Sequence, residues 1–161
     1  MITPPYLKKG DKVGIVAPAR YIPQEKYPQI MQLIEWNGWV PVRGKTTFVE
    51  TGFFAGTDAE RLQDLQYMLD SDDIKALFCL RGGYGTIRIL DGLNFDKFVH
   101  NPKWVVGFSD ITLLHAALTK LGIESIHGQM PINFNSNSPA LDNLFQTIRG
   151  NTKDYFIEPH E

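Results

Sequence analysis

Lys103-Trp104-Val105-Val106-Gly107-Phe108-Ser109-Asp110-Ile111-Thr112-Leu113-Leu114-His115 changes its hydrophobic period half-way along. Trp104 to Val106 is a short apolar run with β-branched residues, as a buried strand requires. From Asp110 onward the pattern is helical: Ile111, Leu114 and Leu118 fall at i, i+3 and i+7, and Ala116 and Ala117 favour helix. Ser109 therefore stands on a turn between strand and helix, two residues after a glycine. Two readings of it follow. A tight turn projects a nucleophile beyond the sheet, above the unpaired N–H groups of a helix N-terminus. Serine is also among the best N-cap residues, and an aspartate in the first turn suits the helix dipole. The stretch departs from the Gly-x-Ser-x-Gly nucleophile elbow, since Ile111 stands where the last glycine would be.

Working outward, the rest of the chain repeats the same alternation. Val13 to Pro18 is apolar on both faces and reads as a central parallel strand. A helix is expected from about Gln24 to Asn37, with Pro28 giving it a late or kinked start. Trp39 to Val42 is a strand nearer an edge, because Pro41 cannot donate to a ladder. Lys45 to Gly56 reads as irregular. Thr57 and Glu60 form a capping box for a helix whose apolar stripe is Leu62, Leu65, Met68 and Leu69. Ile74 to Leu80 is a third strand running into Arg81-Gly82-Gly83-Tyr84-Gly85, followed by a short helix and a helical turn from Phe95 to His100. Gly122 stops the helix after Ser109, Glu124 to Gly128 is a fifth strand, and Ser138-Pro139 opens a last helix ending at Gly150. The expected fold is α/β: a doubly wound, mostly parallel five-stranded sheet with helices on both faces, Rossmann-like or flavodoxin-like, over residues 1–150.

Composition narrows the function classes. With 161 residues, 43% apolar and 21% charged, the chain can bury one real core. A net charge of −2 without a Lys/Arg cluster argues against a general nucleic-acid binder. The single cysteine, Cys79, lies in an apolar run and reads as a buried, inert thiol. No apolar signal region and no membrane-length apolar window is seen, so a cytoplasmic protein without a membrane partner is expected.

In such a sheet, ligands bind outside the carboxyl ends of the strands. Four loops there carry suggestive residues: Ala17 to Arg20, Arg81 to Gly85, Gly107 to Asp110 and His127 to Gln129. The glycine run permits positive φ and lets backbone N–H groups meet an anion or oxyanion; a tight strand-to-helix turn would need it equally. It matches neither nucleotide fingerprint, so no nucleotide cofactor is expected. His115 reads as packing, His100 as a solvated loop residue and His160 as part of the chain end. His127 either reaches the site or makes a structural hydrogen bond. No histidine pair has zinc spacing, and no metal is expected. None of the four is placed by sequence as a base for Ser109.

Together, these residues resemble the amino-terminal half of an L,D-carboxypeptidase of the muramoyltetrapeptide carboxypeptidase family, which includes the microcin-immunity peptidases. The matching features are Gly10 to Pro18, Phe54 to Asp58 with Arg61, Ile74 to Ala76, Arg81 to Gly85, Gly107 to Thr112 and His127-Gly128. The resemblance implies that Ser109 is the nucleophile of a Ser-Glu-His triad. It implies an oxyanion hole from the backbone N–H of Asp110 and one from Gly82 or Gly83. Arg81, Tyr84 and His127 become candidate substrate-binding residues. Family members release a terminal D-amino acid, typically D-alanine, from cell-wall tetrapeptides during peptidoglycan recycling. They need no metal or cofactor and are commonly homodimers.

The family draws its triad Glu and His from a carboxyl-terminal domain. Glu158 and His160 come too soon in the chain to be those residues. Residues 151–161 are accordingly expected to begin the linker to that domain, and this chain alone is expected to be inactive. The alternatives are a non-catalytic module of the same fold that binds a peptide or carboxylate, and a hydrolase of microcin-type peptide conjugates. A nucleotide-binding domain is disfavoured by the missing phosphate fingerprints.

Overall fold

The middle strand of the sheet is built from Ile74–Cys79, a run in which every residue but Lys75 is buried. The computed structural model describes residues 1–151. In chain order it contains β1 (Lys12–Val16), α1 (Tyr27–Trp36), β2 (Val40–Arg43), β3 (Glu50–Thr51), β4 (Phe54–Ala55), α2 (Asp58–Asp70) and β5 (Ile74–Cys79). There follow α3 (Thr86–Leu90), α4 (Asp96–His100), β6 (Trp104–Gly107), α5 (Thr112–Lys120), β7 (Ile126–His127) and α6 (Pro139–Ile148). Five strands form a sheet in the order β2-β1-β5-β6-β7, with every pairing parallel. This is the flavodoxin-like order, and its switch point lies between β1 and β5.

Side-chain alternation divides the core between the two faces of the sheet. Val13, Ile15, Ala76, Phe78, Trp104 and Val106 face α1 and α6. Val16, Leu77, Cys79 and Val105 face α2 to α5, which contribute Leu65, Met68, Ile89, Phe98, Leu114 and Leu118. Gly14 is required by this layering: a Cβ there would stand 2.7 Å from Leu77 Cδ2 and 3.2 Å from Met68 Sδ.

Most of the predicted elements are present, with three differences. The segment from Lys45 to Gly56 is not wholly irregular, because β3 and β4 pair as a short antiparallel ribbon. α1 does start late: a 3-10 turn over Gln24–Lys26 precedes it, and Pro28 sits in its first turn. The fifth strand shrinks to Ile126–His127 because Ile2 takes over the ladder before it, bridging Ile123, donating to Gly122 O and accepting from Glu124 N. His100 ends α4 instead of lying in a loop, its Nδ1 2.7 Å from Asp96 O, though it is exposed as expected. The Thr57–Glu60 capping box and the Ser138 cap form as expected. None of the helices is long and apolar enough to cross a membrane among the described residues.

Candidate active site

β6 ends at Gly107, and the turn beyond it makes Ser109 unusual. Ser109 has φ 62°, the only non-glycine residue with positive φ among those described. Its side chain makes no capping hydrogen bond; the cap position of the 3-10 turn Ser109–Ile111 belongs to Phe108. The capping reading of Ser109 therefore fails. A left-handed serine costs about 1–2 kcal/mol of backbone energy, and such strain persists only where surrounding structure enforces it. Here Gly107 is part of that enforcement: a Cβ on it would lie 2.8 Å from Ile111 Cγ2. Ile111 thus fills the space in which the elbow pattern would have its final glycine.

The glycine run after β5 lies directly against this turn. A Cβ on Gly82 would stand 3.2 Å from Ser109 Cβ and 3.4 Å from Asp110 N. Among the described residues, the N–H groups of Gly82, Gly83 and Asp110 donate to no protein oxygen. Exposed Ser109, the glycines, Arg81 and Phe108 share an open cleft of about 300 Å³ with Met130, Ile132 and Asn133. A larger groove, about 570 Å³, runs along the outer side of α2 by Tyr67 and Lys97, away from the carboxyl ends of the strands.

Two charged side chains, one buried and one half-buried, hold the loops in place. Arg61 is 1% exposed; its Nη1 donates to Pro18 O (2.5 Å) and Gly85 O (3.1 Å), and its Nη2 pairs with Asp58. It thereby ties the loop after β1 to the loop after β5 across the switch point. Gly85 has φ 143° and must lack a side chain, because a Cβ would meet Arg61 Nη1 at 2.7 Å. The second charge is the Asp110 carboxylate, whose Oδ2 accepts from Thr86 N at 2.9 Å. On the far side of the sheet edge, Asp64 accepts from Lys45 N, Thr46 N and Thr46 Oγ1, so this loop's donors are filled from within.

Of the candidate substrate-binding residues, Arg81 lines the cleft. Tyr84 does not: its ring packs by Phe54 at 6.1 Å between centroids. His127 is exposed and its side chain makes no hydrogen bond among the described residues; it pairs in the sheet with Gly107, and its ring lies 6.1 Å from that of Phe108. The structural hydrogen bond considered for it is therefore absent there. His115 is 8% exposed and packs as expected. Its Nε2 faces Gly107 O at 2.9 Å and its Nδ1 faces Ser125 Oγ at 2.8 Å, so the proton belongs on Nε2 and the ring is fully engaged. Burial holds its pKa below the ordinary histidine value. Cys79 is buried, and burial pushes its thiol up to about 12. Among the described residues no cluster of His, Cys, Asp or Glu could hold a metal ion. Glu158 and His160 lie outside the described residues.

Residues 13–128, from the first strand through Gly128, match the family profile described as LD-carboxypeptidase N-terminal domain. The chain belongs to this family. A probable murein peptide carboxypeptidase of Bacillus subtilis is 36% identical over 156 residues, covering 96% of this chain and 48% of the relative. A murein tetrapeptide carboxypeptidase of Pseudomonas aeruginosa is 35% identical over 118 residues, covering 73% of this chain and 38% of the relative. The chain spans about half the length of the curated relatives it matches. Among solved LD-carboxypeptidase-like structures, an MccF-like protein of Bacillus anthracis superposes with TM-score 0.85 at 25% identity, over 92% of this chain and 47% of the other. A muramoyltetrapeptide carboxypeptidase of Oxalobacter formigenes gives TM-score 0.76 at 28% identity, over 84% of this chain and 47% of the other.

Sequence reasoning missed Asp110's carboxylate as a cap and Arg61 as an internal strut. A signal for the second existed. Arg61, Leu65 and Met68 are spaced i, i+4 and i+7, so Arg61 shares the buried face of α2.

Proposed function

We propose that this chain is the nucleophile-bearing half of a serine-type LD-carboxypeptidase acting on murein peptides. The observation that carries the reading is Ser109 at φ 62°, with the unpaired N–H groups of Asp110 and the Gly82-Gly83 turn beside it. In the proposed reaction Ser109 Oγ attacks the carbonyl carbon of the last peptide bond, and a base takes the hydroxyl proton. The carbonyl oxygen, now negative, is met by the free N–H groups. Collapse of the tetrahedral intermediate breaks the C–N bond, and the amine of the departing D-amino acid receives the proton. Water then adds to the acyl-serine by the same route, releasing the shortened peptide and restoring Ser109.

The base is assigned to a Glu-His pair in a carboxyl-terminal domain beyond residue 161, with 151–161 opening the linker to it. His115 is ruled out as the base because both of its ring nitrogens are engaged. The chain alone is then a folded domain without turnover, since a serine hydroxyl at neutral pH needs a base.

The test is D-alanine release from a murein tetrapeptide by the complete protein, by its Ser109→Ala variant and by the 161-residue chain. Serine-dependent release by the complete protein alone is expected. Release that survives Ser109→Ala sinks the nucleophile assignment, and serine-dependent release by the short chain sinks the missing-base assignment. Turnover of a peptide–nucleotide conjugate in place of the tetrapeptide would move the enzyme to the microcin-conjugate class.

A further inference from the structure

Beside the Ser109 cleft lies a second depression of about 160 Å³, lined by Arg20, Tyr21, Pro23, Phe53 and Arg81. Arg81 belongs to the walls of both, so the depression opens one side chain away from the serine. Its two cations are conspicuous for what they do not touch. Arg61, Arg88 and Arg149 each donate to protein oxygens, whereas Arg20 and Arg81, like Arg43 over the Phe48 ring, form no hydrogen bond or ion pair among the described residues. Arg20 Nε is enclosed and has no partner among the described residues. Glu50 pairs with neither arginine; its Oε1 accepts from the Tyr21 phenol at 2.5 Å.

The position of Arg20 is set by its neighbours. Its Cζ lies 5.3 Å from the centroid of the Phe53 ring, and its aliphatic stem crosses Gly83. A Cβ on Gly83 would collide with Arg20 Cδ at 2.7 Å and Nε at 2.8 Å, so the bare glycine makes the room in which Arg20 lies. An arginine held between a ring and a backbone is pre-organised for a planar anion.

We infer that Arg20 and Arg81 form the subsite for the terminal carboxylate of the peptide substrate. This rests on the serine-carboxypeptidase reading above. An enzyme that removes one residue must place that residue's carboxylate about one Cα–Cα step, roughly 3.8 Å, beyond the scissile bond. The cationic depression shares Arg81 with the nucleophile's cleft, so it is the adjoining place for that carboxylate. The carboxylate then selects for chain ends over internal bonds, and Gly83 serves the site by leaving space for Arg20.

The experiment uses the complete protein carrying Ser109→Ala, so that binding is read without turnover. Calorimetry compares a tetrapeptide ending in D-alanine with the same peptide as its C-terminal amide. The acid should bind at least tenfold tighter, and adding Arg81→Gln or Arg20→Gln should remove most of that difference while circular dichroism stays unchanged. Arg81→Lys should restore part of it. Equal affinity for acid and amide, failure of both to bind, or a difference that survives both glutamine substitutions overturns the subsite. If Arg20→Gln does not fold, the acid–amide comparison and Arg81→Gln decide. D-Alanine release by the protein with Ser109 intact is measured separately. Its absence beside an intact acid preference would end the hydrolase reading and leave the carboxylate subsite standing.

Discussion

Asp110 Oδ2 accepts the backbone N–H of Thr86 at 2.9 Å, so the residue after the serine caps the helix that follows the glycine loop. Gly85, at the cap position of α3, has no side chain to do this itself. The bond joins the turns after β5 and β6 and keeps Gly82 within contact distance of Ser109.

Asp110→Ala should therefore cost about 1–2 kcal/mol, because it leaves Thr86 N–H without its acceptor. Asp110→Asn keeps an oxygen in place and should recover most of that loss. Urea unfolding of the three proteins checks the order; equal stability of all three would mean that the loops are held without this bond.

At Ser109 the strain predicts opposite signs for stability and activity. Ser109→Gly should raise stability by about 1 kcal/mol, less the extra freedom glycine gains when unfolded. Ser109→Ala should leave stability nearly unchanged, since no capping bond is lost. Both should lower D-alanine release by the complete protein about 10³-fold or more. Destabilisation of Ser109→Ala by a full kcal/mol would point back to a cap.

Gly82→Ala places a methyl 3.2 Å from Ser109 Cβ and 3.4 Å from Asp110 N, over the donor proposed for the oxyanion. In the complete protein kcat should fall about 10²-fold, with a smaller change in KM. Steady-state kinetics on a tetrapeptide ending in D-alanine separate the two constants. A change confined to KM would make this glycine part of binding only. Gly83→Val adds a β-branched side chain at φ 127° and displaces Arg20, so it should damage both constants.

Arg61→Ala removes the strut between Pro18 O and Gly85 O and leaves Pro18 O without a donor among the described residues, while Gly85 O keeps the N–H of Arg88. A loss of about 3 kcal/mol is expected, the upper end for charged hydrogen bonds. Thermal unfolding measures it. A variant within 1 kcal/mol of the parent would show that the Asp58–Arg88 pair and packing suffice.

His115 supplies a pH dependence of known sign. Its folded pKa is depressed, chiefly by burial, so the unfolded chain binds the proton first as pH falls. The contribution is fully present above about pH 6.5, the unfolded value, and is lost as pH drops toward the folded one. His115→Gln should flatten the stability profile in that window while lowering stability at neutral pH. An unaltered profile between pH 7 and 5 would assign the acid sensitivity to other groups.

The period changes around Ser109, the apolar strands at Val13 and Ile74 and the Thr57 capping box depend on neighbours within a few residues. Local sterics and hydrogen bonding decide them, so the alternating α/β fold and the loops at its carboxyl edge were legible directly from sequence. Ser109's place on the strand-to-helix turn was legible for the same reason. Its conformation was not. A serine before an aspartate at a helix start caps in most settings, whereas here Ser109 is left-handed in a turn where Ile111 crowds Gly107 and Gly82 approaches closely. The Asp110–Thr86 bond, the burial of Arg61 and the meeting of Arg20 with Arg81 join residues 24, 43 and 61 positions apart. Such pairings arise because parallel crossovers bring successive loops to one edge of the sheet. Local patterns carry no record of which loops become neighbours, so the tertiary structure alone decided how the Ser109 turn, the N–H groups beside it and the two arginines assemble.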